Sequence, residues 1–162
     1  MLEAILLFGS LSPQDHEIRR EYPAAPLVGV GALIIDSGRI VLVRRGKSPA
    51  EGEWSIPGGL VSLGETIGEA VAREAREETG LEVQPEVLVE LLERIFPDED
   101  GRIRYHYVLA DYSCRVIGGA LSAGSDALEA RWVYREDLQH FDLAPITMRV
   151  VLKALDQRVT GK

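Results

Sequence analysis

Three glutamates and an arginine in one short segment have the types and spacing for metal chemistry. Arg73, Glu74, Glu77 and Glu78 fall within six consecutive residues. If the segment is helical, side chains three and four residues apart share a face, so the carboxylates crowd together and repel. Arg73 can pair with Glu77, but one guanidinium cannot neutralise three carboxylates. Because a hard divalent cation binds several carboxylate oxygens, the segment predicts a site for Mg²⁺ or Mn²⁺.

The helix that must carry these residues has clear boundaries in the sequence. Thr66 can cap its first turn, and Glu69, three residues later, completes a capping box. Gly80 can supply the left-handed residue that ends a helix. The sequence therefore predicts a helix over residues 67–79.

The apolar side of this helix turns acidic halfway along. At about 100° per residue, Ile67 and Val71 lie on one stripe, which continues to Glu74 and Glu78. A buried carboxylate needs a partner, which favours a bound cation. The alternative is a solvated helix end with surface ion pairs, and the apolar stripe makes that interpretation weaker.

Two glycines precede the predicted helix. Residues 56–59 read Ile-Pro-Gly-Gly, a rigid residue followed by two permissive ones. Such a segment allows backbone groups to approach a ligand closely, and an ordinary tight turn explains it equally well.

Basic and aromatic residues outside the segment are candidates for substrate binding. Arg44, Arg45 and Lys47 follow a strand-like run and could meet phosphates, or they could form a solvated strand end. Alternation along a second strand puts Tyr105 and Tyr107 on one face. That face could stack a nucleobase, although core packing is the commoner role of tyrosines in strands.

The remaining elements predict an α/β fold in which a mixed β-sheet is sandwiched between α-helices. Residues 36–38 favour a hairpin. Pro145 marks the start of a second predicted helix, over residues 144–158. A proline-rich stretch separates an N-terminal extension, residues 1–26, from the main domain, residues 27–162. The predicted strands are residues 27–35, 39–45, 86–96 and 102–114.

Composition limits the classes of partner. The chain has 162 residues and a formal net charge of −8, which argues against binding to a nucleic-acid polymer. No apolar run approaches the length of a membrane-spanning helix, and the N-terminus lacks the features of a signal peptide. Cys114 is the one cysteine, so an intrachain disulfide and a four-cysteine zinc site are excluded. We expect a cytoplasmic protein.

The acidic segment resembles the complete Nudix box, GX5EX7REUXEEXGU. Gly59 and Glu65 are followed by the run of residues 73–81, and every fixed position is filled. Ala75 departs from the bulkier aliphatic residue usual in the family. With the β-rich lead-in and the C-terminal helix, the resemblance covers residues 27–155. It implies the Nudix fold and a Mg²⁺-dependent hydrolase that cleaves the diphosphate bond of a nucleoside diphosphate linked to another group.

The resemblance also implies roles for individual residues. Glu74, Glu77 and Glu78 would bind the metal, and the Gly59 carbonyl would be a further ligand. Glu65 and Arg73 would support the cluster. The general base would be a box glutamate, Glu77 or Glu78, or else Glu129 or Asp126 before the last strand. The proposed substrate-binding residues are Arg44, Arg45 and Tyr105.

The substrate is less clearly marked than the reaction. Pro97 lies sixteen residues beyond Leu81, a spacing that resembles the small bacterial ADP-ribose pyrophosphatases. The alternatives are a pyrophosphohydrolase of (8-oxo-)dNTPs or other nucleoside triphosphates, and a nucleotide-sensing Nudix module without catalysis. An isomerase of the isopentenyl-diphosphate type would need cysteine chemistry that Cys114 does not obviously supply. The resemblance also implies a homodimer.

Overall fold

A computed structural model describes residues 19–46, 51–124 and 126–160. Most of the predicted N-terminal extension, with Lys47, lies outside these residues, and the division at residue 26 stays a prediction. The described part contains seven strands, two α-helices and a 3-10 helix. These are β1 Leu27–Asp36, β2 Arg39–Arg45, β3 Trp54–Ser55, β4 Gly58–Leu60, α1 Ile67–Thr79, β5 Leu81–Pro97, β6 Ile103–Gly119, β7 Ala127–Tyr134, the 3-10 helix Arg135–His140 and α2 Pro145–Thr160.

The strands form one mixed sheet with a helix on each face, as predicted. Its order is β3-β2-β1-β6-β5, with β4 paired to β1 and β7 to β2. β1 and β6 are parallel, whereas the other pairs are antiparallel. Successive residues of β1 point to opposite faces, so Ile34 packs in the core beneath α1 and Leu33 in the core beneath α2.

The predicted hairpin joins β1 to β2. Ser37 and Gly38 have φ values of 50° and 75°. Positive φ at both central residues defines the turn whose twist matches the flanking strands. No helix in the described residues is long and apolar enough to cross a membrane.

The predicted boundaries of the long strands were wrong. β5 begins at Leu81, directly after α1, and β6 continues to Gly119. Pro85 lies inside β5, which is an edge strand whose register shifts beside this residue, where a missing N–H is tolerated. The short strands β3 and β4 carry too few residues for a periodic signal. The second helix, α2, runs slightly beyond its predicted end at residue 158.

The boundaries of α1 follow the sequence prediction. Thr66 and Glu69 form the reciprocal capping box, and Gly80 adopts the left-handed conformation at φ 70°. The loop before β7 then covers the end of the helix: Ser122 N–H donates to the Thr79 carbonyl at 2.9 Å, and Gly124 N–H to the Glu78 carbonyl at 3.0 Å. Both ends of the glutamate-bearing helix are therefore held by hydrogen bonds.

A pair of glycine substitutions tests how α1 is held. A Cβ at Gly80 would lie 2.7 Å from the Ala120 carbonyl oxygen, at a φ that side chains rarely adopt. We expect Gly80→Ala to lower the free energy of unfolding by about 1–3 kcal/mol. Gly68, in the first turn, has open space around it, so Gly68→Ala should raise it by about 0.5–1 kcal/mol. Urea unfolding measures both, and equal stability of the two variants would contradict this account.

Candidate functional site

The acidic end of α1 lies against the two glycines of β4. The Gly58 N–H donates a hydrogen bond to Glu78 Oε2 at 3.0 Å. A Cβ at Gly59 would overlap the Glu74 carboxylate, and one at Gly58 would overlap the Val30 carbonyl oxygen. Neither glycine has a positive φ. Close approach of the carboxylates and β1, rather than a tight turn, is therefore the reason for glycine at both positions.

Beside this contact, Arg73 forms hydrogen bonds to three segments: the loop before α1, α1 itself and β4. Its guanidinium donates to both oxygens of Glu65, at 2.7 and 2.9 Å, and to Glu74 Oε1 at 2.6 Å. A further bond reaches the Leu60 carbonyl of β4 at 3.0 Å. The hydrogen bond from Arg73, with one from the Ser62 backbone, lowers the pKa of Glu65 to about 2. Arg73 therefore fixes the position of α1 relative to β4.

Glu78 is the titratable group that the site perturbs most clearly. Burial raises the pKa of its carboxyl to about 7, and the negative charges of Glu74 and Asp126 act in the same direction. The Gly58 N–H and the charge of Arg45 oppose this shift without cancelling it. Negative charge is in excess around β4 because the acids there, Glu65, Glu74, Glu77, Glu78 and Asp126, outnumber the arginines, Arg45 and Arg73.

Glu77 is more exposed than its neighbour. Its side chain is 52% exposed, against 13% for Glu74, and it lies 3.3 Å from Arg73 Nη1. The described residues contain no group of three or more His, Cys, Asp or Glu side chains already arranged around a metal position. Arg73 holds Glu74 and Glu77 instead. Carboxylate oxygens in a pocket with excess negative charge nevertheless have the chemistry that a hard divalent cation requires.

Arg44 and Arg45 lie on opposite faces of β2. Arg44 shares a face with Leu42, which packs in the core beneath α2, and its Nε is 3.3 Å from Glu129 Oε1. Arg45 follows on the other face, where its charge lowers the pKa of Glu78. The structure therefore places Arg45 near Glu78, and it places Arg44 with Glu129 on the opposite face of the sheet.

The two acids predicted in the loop before Trp132 separate in the same way, and the prediction of a loop was wrong for Glu129, which lies in β7. Asp126 is close enough to raise the pKa of Glu78, and its carbonyl accepts a hydrogen bond from Gly46 N–H at 3.0 Å. Glu129 pairs with Arg44 and Arg131 instead. A cavity of about 490 Å³ opens on that side of the sheet. It is lined by Arg44, Trp54, Glu129, Arg131, Trp132, Val133, Asp137, His140 and Phe141.

The tyrosines of β6 share a face, as predicted. The rings of Tyr105 and Tyr107 stack with centroids 6.2 Å apart and an interplanar angle of 14°. The hydroxyl of Tyr105 donates to Glu21 at 3.3 Å. Burial raises the pKa of Tyr107, and the positive charge of Arg45 opposes that rise. Arg45 therefore acts electrostatically on both Tyr107 and Glu78.

Sequence reasoning missed one buried acid near the site. Asp111 on β6 is 6% exposed. Burial raises the pKa of its carboxyl to about 6, and the neighbouring charge of Glu90 adds to the effect. The sequence feature that could have identified Asp111 is its position directly after the apolar run Val108-Leu109-Ala110 in a predicted strand.

Comparisons with known proteins agree with this site. The NUDIX domain pattern matches residues 25–155. Over 107 residues the chain is 40% identical to an ADP-ribose pyrophosphatase of Methanocaldococcus jannaschii, covering 66% of this chain and 61% of that protein. It is 33% identical over 136 residues to the nucleoside triphosphatase NudI of Escherichia coli, covering 76% of this chain and 93% of NudI.

Solved structures show the same fold. A MutT NUDIX hydrolase from Burkholderia pseudomallei superposes with a TM-score of 0.67 at 29% identity, covering 80% of this chain and 98% of that one. The chain belongs to the Nudix hydrolase family. Nudix hydrolases act on small nucleotide compounds and generally use divalent metals. The fold and the family expected from the box are thereby confirmed.

The raised pKa of Glu78 predicts a pH-dependent stability of the metal-free protein. Because the folded-state pKa, about 7, is above the ordinary value of 4.5, the carboxyl favours folding below pH 4.5 and that contribution is lost as pH rises through 7. Glu78→Gln removes this titration and keeps an oxygen that can accept from Gly58. In excess chelator, the variant should gain urea resistance relative to the parent at pH 8, and the gain should shrink at pH 5. A difference that is independent of pH would contradict the assignment.

Proposed function

We propose that the protein hydrolyses, with Mg²⁺, the diphosphate bond of a nucleoside diphosphate linked to another group. ADP-ribose is the proposed substrate, and AMP and ribose 5-phosphate are the products. The observation that carries this proposal is the Glu78 carboxyl, buried against Gly58 among other acids on the helix of a complete Nudix box. Such a pocket favours a cation, and the bound cation favours a diphosphate.

The choice of ADP-ribose rests on similarity and on Pro97. The archaeal relative that is named ADP-ribose pyrophosphatase is 40% identical over the matched region. The matched region spans 61% of that protein and about a third of two animal relatives, so substrate choice is part of the proposal. Similarity to NudI favours a nucleoside triphosphate as the second candidate.

The proposed metal ligands are Glu74, Glu77 and Glu78, with the Gly59 carbonyl. A divalent cation held there would neutralise phosphate oxygens and activate water for attack. Arg73 supports this set because it orients Glu74 through a bond of 2.6 Å. The carboxylates thus provide the negative pocket, and the two glycines allow them to lie close to β4 and β1.

The base that accepts the proton from water is proposed among the box glutamates, Glu77 or Glu78. A base works best when its pKa lies near the working pH. Asp126 is the better supported of the loop candidates because it acts electrostatically on Glu78. Glu129 would have to leave its ion pairs with Arg44 and Arg131.

Arg45 is the better supported phosphate ligand of the two strand-end arginines. Its charge acts on Glu78 and on Tyr107, so it is near enough to affect both groups. Arg44 is engaged with Glu129. Tyr105 stays a candidate for stacking a base, since its ring stacks on Tyr107. The homodimer also stays a prediction, which sedimentation of the full chain would test.

A sensing module without catalysis is disfavoured by the intact box. A domain that only binds a nucleotide has no need for three clustered carboxylates beside two glycines. Release of AMP from ADP-ribose with Mg²⁺ separates the two functions. A panel with NADH, sugar nucleotides, diadenosine polyphosphates and nucleoside triphosphates ranks the substrates.

The central substitution is again Glu78→Gln. We expect hydrolysis to fall at least roughly 100-fold while substrate still binds, because the variant loses a charge that holds the metal and keeps its shape. The matched control is Glu69→Gln on the same helix, since glutamine also completes a capping box. AMP release measured by chromatography tests both variants. Near-normal turnover with Glu78→Gln would refute the metal-site proposal.

A further inference from the structure

Asp111 is a buried carboxyl with an unusual place in the sheet. It lies in the middle of β6 in register with Gly31 of β1, and only 6% of it is exposed. A Cβ at Gly31 would overlap Asp111 Oδ1 and lie 2.6 Å from Ile56 Cδ1. Glycine at position 31 therefore makes the space that the carboxyl occupies.

The carboxyl of Asp111 has no partner in the described part of the chain. No side-chain hydrogen bond or ion pair there involves it, and only the charges of Glu90 and Arg94 act on it. Neither of its oxygens is among the fully enclosed atoms without a partner, so the carboxyl can still be reached from the surface. Its neighbours on the same face differ: Ser113 Oγ donates to the Val87 carbonyl at 3.4 Å, and Glu90 accepts from Lys153 at 2.7 Å. Burying an acid without a donor is unfavourable, so an isolated carboxyl at this depth points to a ligand.

Asp111 also lies beside the proposed reaction site. Ile56, which packs near its carboxyl, is two residues before Gly58, the donor to Glu78. Their Cα atoms are therefore separated by at most about 7 Å. Arg94 is close enough to lower the pKa of Asp111, and it pairs across the strands with Tyr107. Asp111 and the glutamates lie on opposite faces of the sheet, on either side of residues 56–59, so a compound whose diphosphate is at the glutamates can reach Asp111 by extending its attached group past this segment.

We propose that Asp111 is a specificity-determining residue that accepts hydrogen bonds from neutral donors, hydroxyl or amino groups, on the organic part of the substrate. A carboxylate has only acceptors and repels phosphate, so it selects the donor-bearing end of the molecule. Glu90 lies across from Asp111 on β5, but Lys153 already pairs with it, which argues against a second cation there. This inference rests on the proposed diphosphate hydrolysis.

Two analogues of ADP-ribose distinguish the possible donors. One carries hypoxanthine in place of adenine and lacks the exocyclic amine, and the other carries 2-deoxyribose as its terminal sugar. The parent, Asp111→Asn and the control Ser113→Ala, another buried polar residue on the same strand face, are assayed on all three compounds. If the parent cleaves the hypoxanthine analogue poorly, the donor is the exocyclic amine. If it cleaves the 2-deoxyribose analogue poorly, the donor is the hydroxyl group.

We expect Asp111→Asn to lower kcat/KM for ADP-ribose by roughly 10- to 100-fold, mainly through KM, as for loss of a hydrogen bond to a charged group. For the parent, kcat/KM should be lower for one analogue than for ADP-ribose by a similar factor. For Asp111→Asn, kcat/KM should be the same for that analogue and for ADP-ribose. Ser113→Ala should discriminate like the parent. Unchanged discrimination in Asp111→Asn, or an equal loss on all three compounds, would overturn the proposal.

Two further readouts separate the possible failures. Without ligand, Asp111→Asn should melt no lower than the parent, because it removes an unpaired buried acid. A lower melting temperature with discrimination intact would assign Asp111 a structural role and overturn the proposal. If the parent leaves ADP-ribose intact, the proposed substrate is wrong. The same comparison is then made with the panel compound that it cleaves and with its analogues lacking the amine or the hydroxyl.

Discussion

The site depends on one close contact, between the acidic end of α1 and the glycine pair of β4. Glu78 accepts a hydrogen bond from Gly58, and Glu74 lies where any side chain at Gly59 would be. The contact puts carboxylates together that repel one another, and Arg73 offsets part of that repulsion. The capping box and the loop over the end of α1 keep the helix in this position. The carboxylates that favour metal binding therefore destabilise the metal-free protein.

Two buried acids lie on either side of the segment that contains β4. Glu78 is on α1, where excess negative charge suits a cation and the phosphates that accompany it. Asp111 lies on the other face of the sheet, in a space created by Gly31. The two positions divide recognition between a charged end and a neutral end of one molecule. Recognition of both ends would explain why the fold tolerates two carboxyls whose burial is unfavourable.

Local features could be predicted from the sequence, and features that depend on distant pairing could not. The bounds of α1 were correct because Thr66 and Gly80 act on adjacent backbone. The separation of Arg44 from Arg45 follows from alternation, but which of them faces Glu78 depends on how the sheet packs against α1. Glu129 was a candidate base together with Asp126, but its pairing with Arg44 across β2 and β7 separates it from Glu78. Asp111 appears as an isolated acid only once its neighbours are known.

The most direct test of the central claim is a calorimetric titration of the metal-free full chain with Mn²⁺, beside the same titration of Gly59→Ala. A methyl group at position 59 would displace the Glu74 carboxylate without removing any charge. The account predicts saturable binding by the parent at neutral pH and markedly weaker binding by the variant. Equal affinity of the two proteins, or no binding by the parent, would contradict a metal site built on this contact.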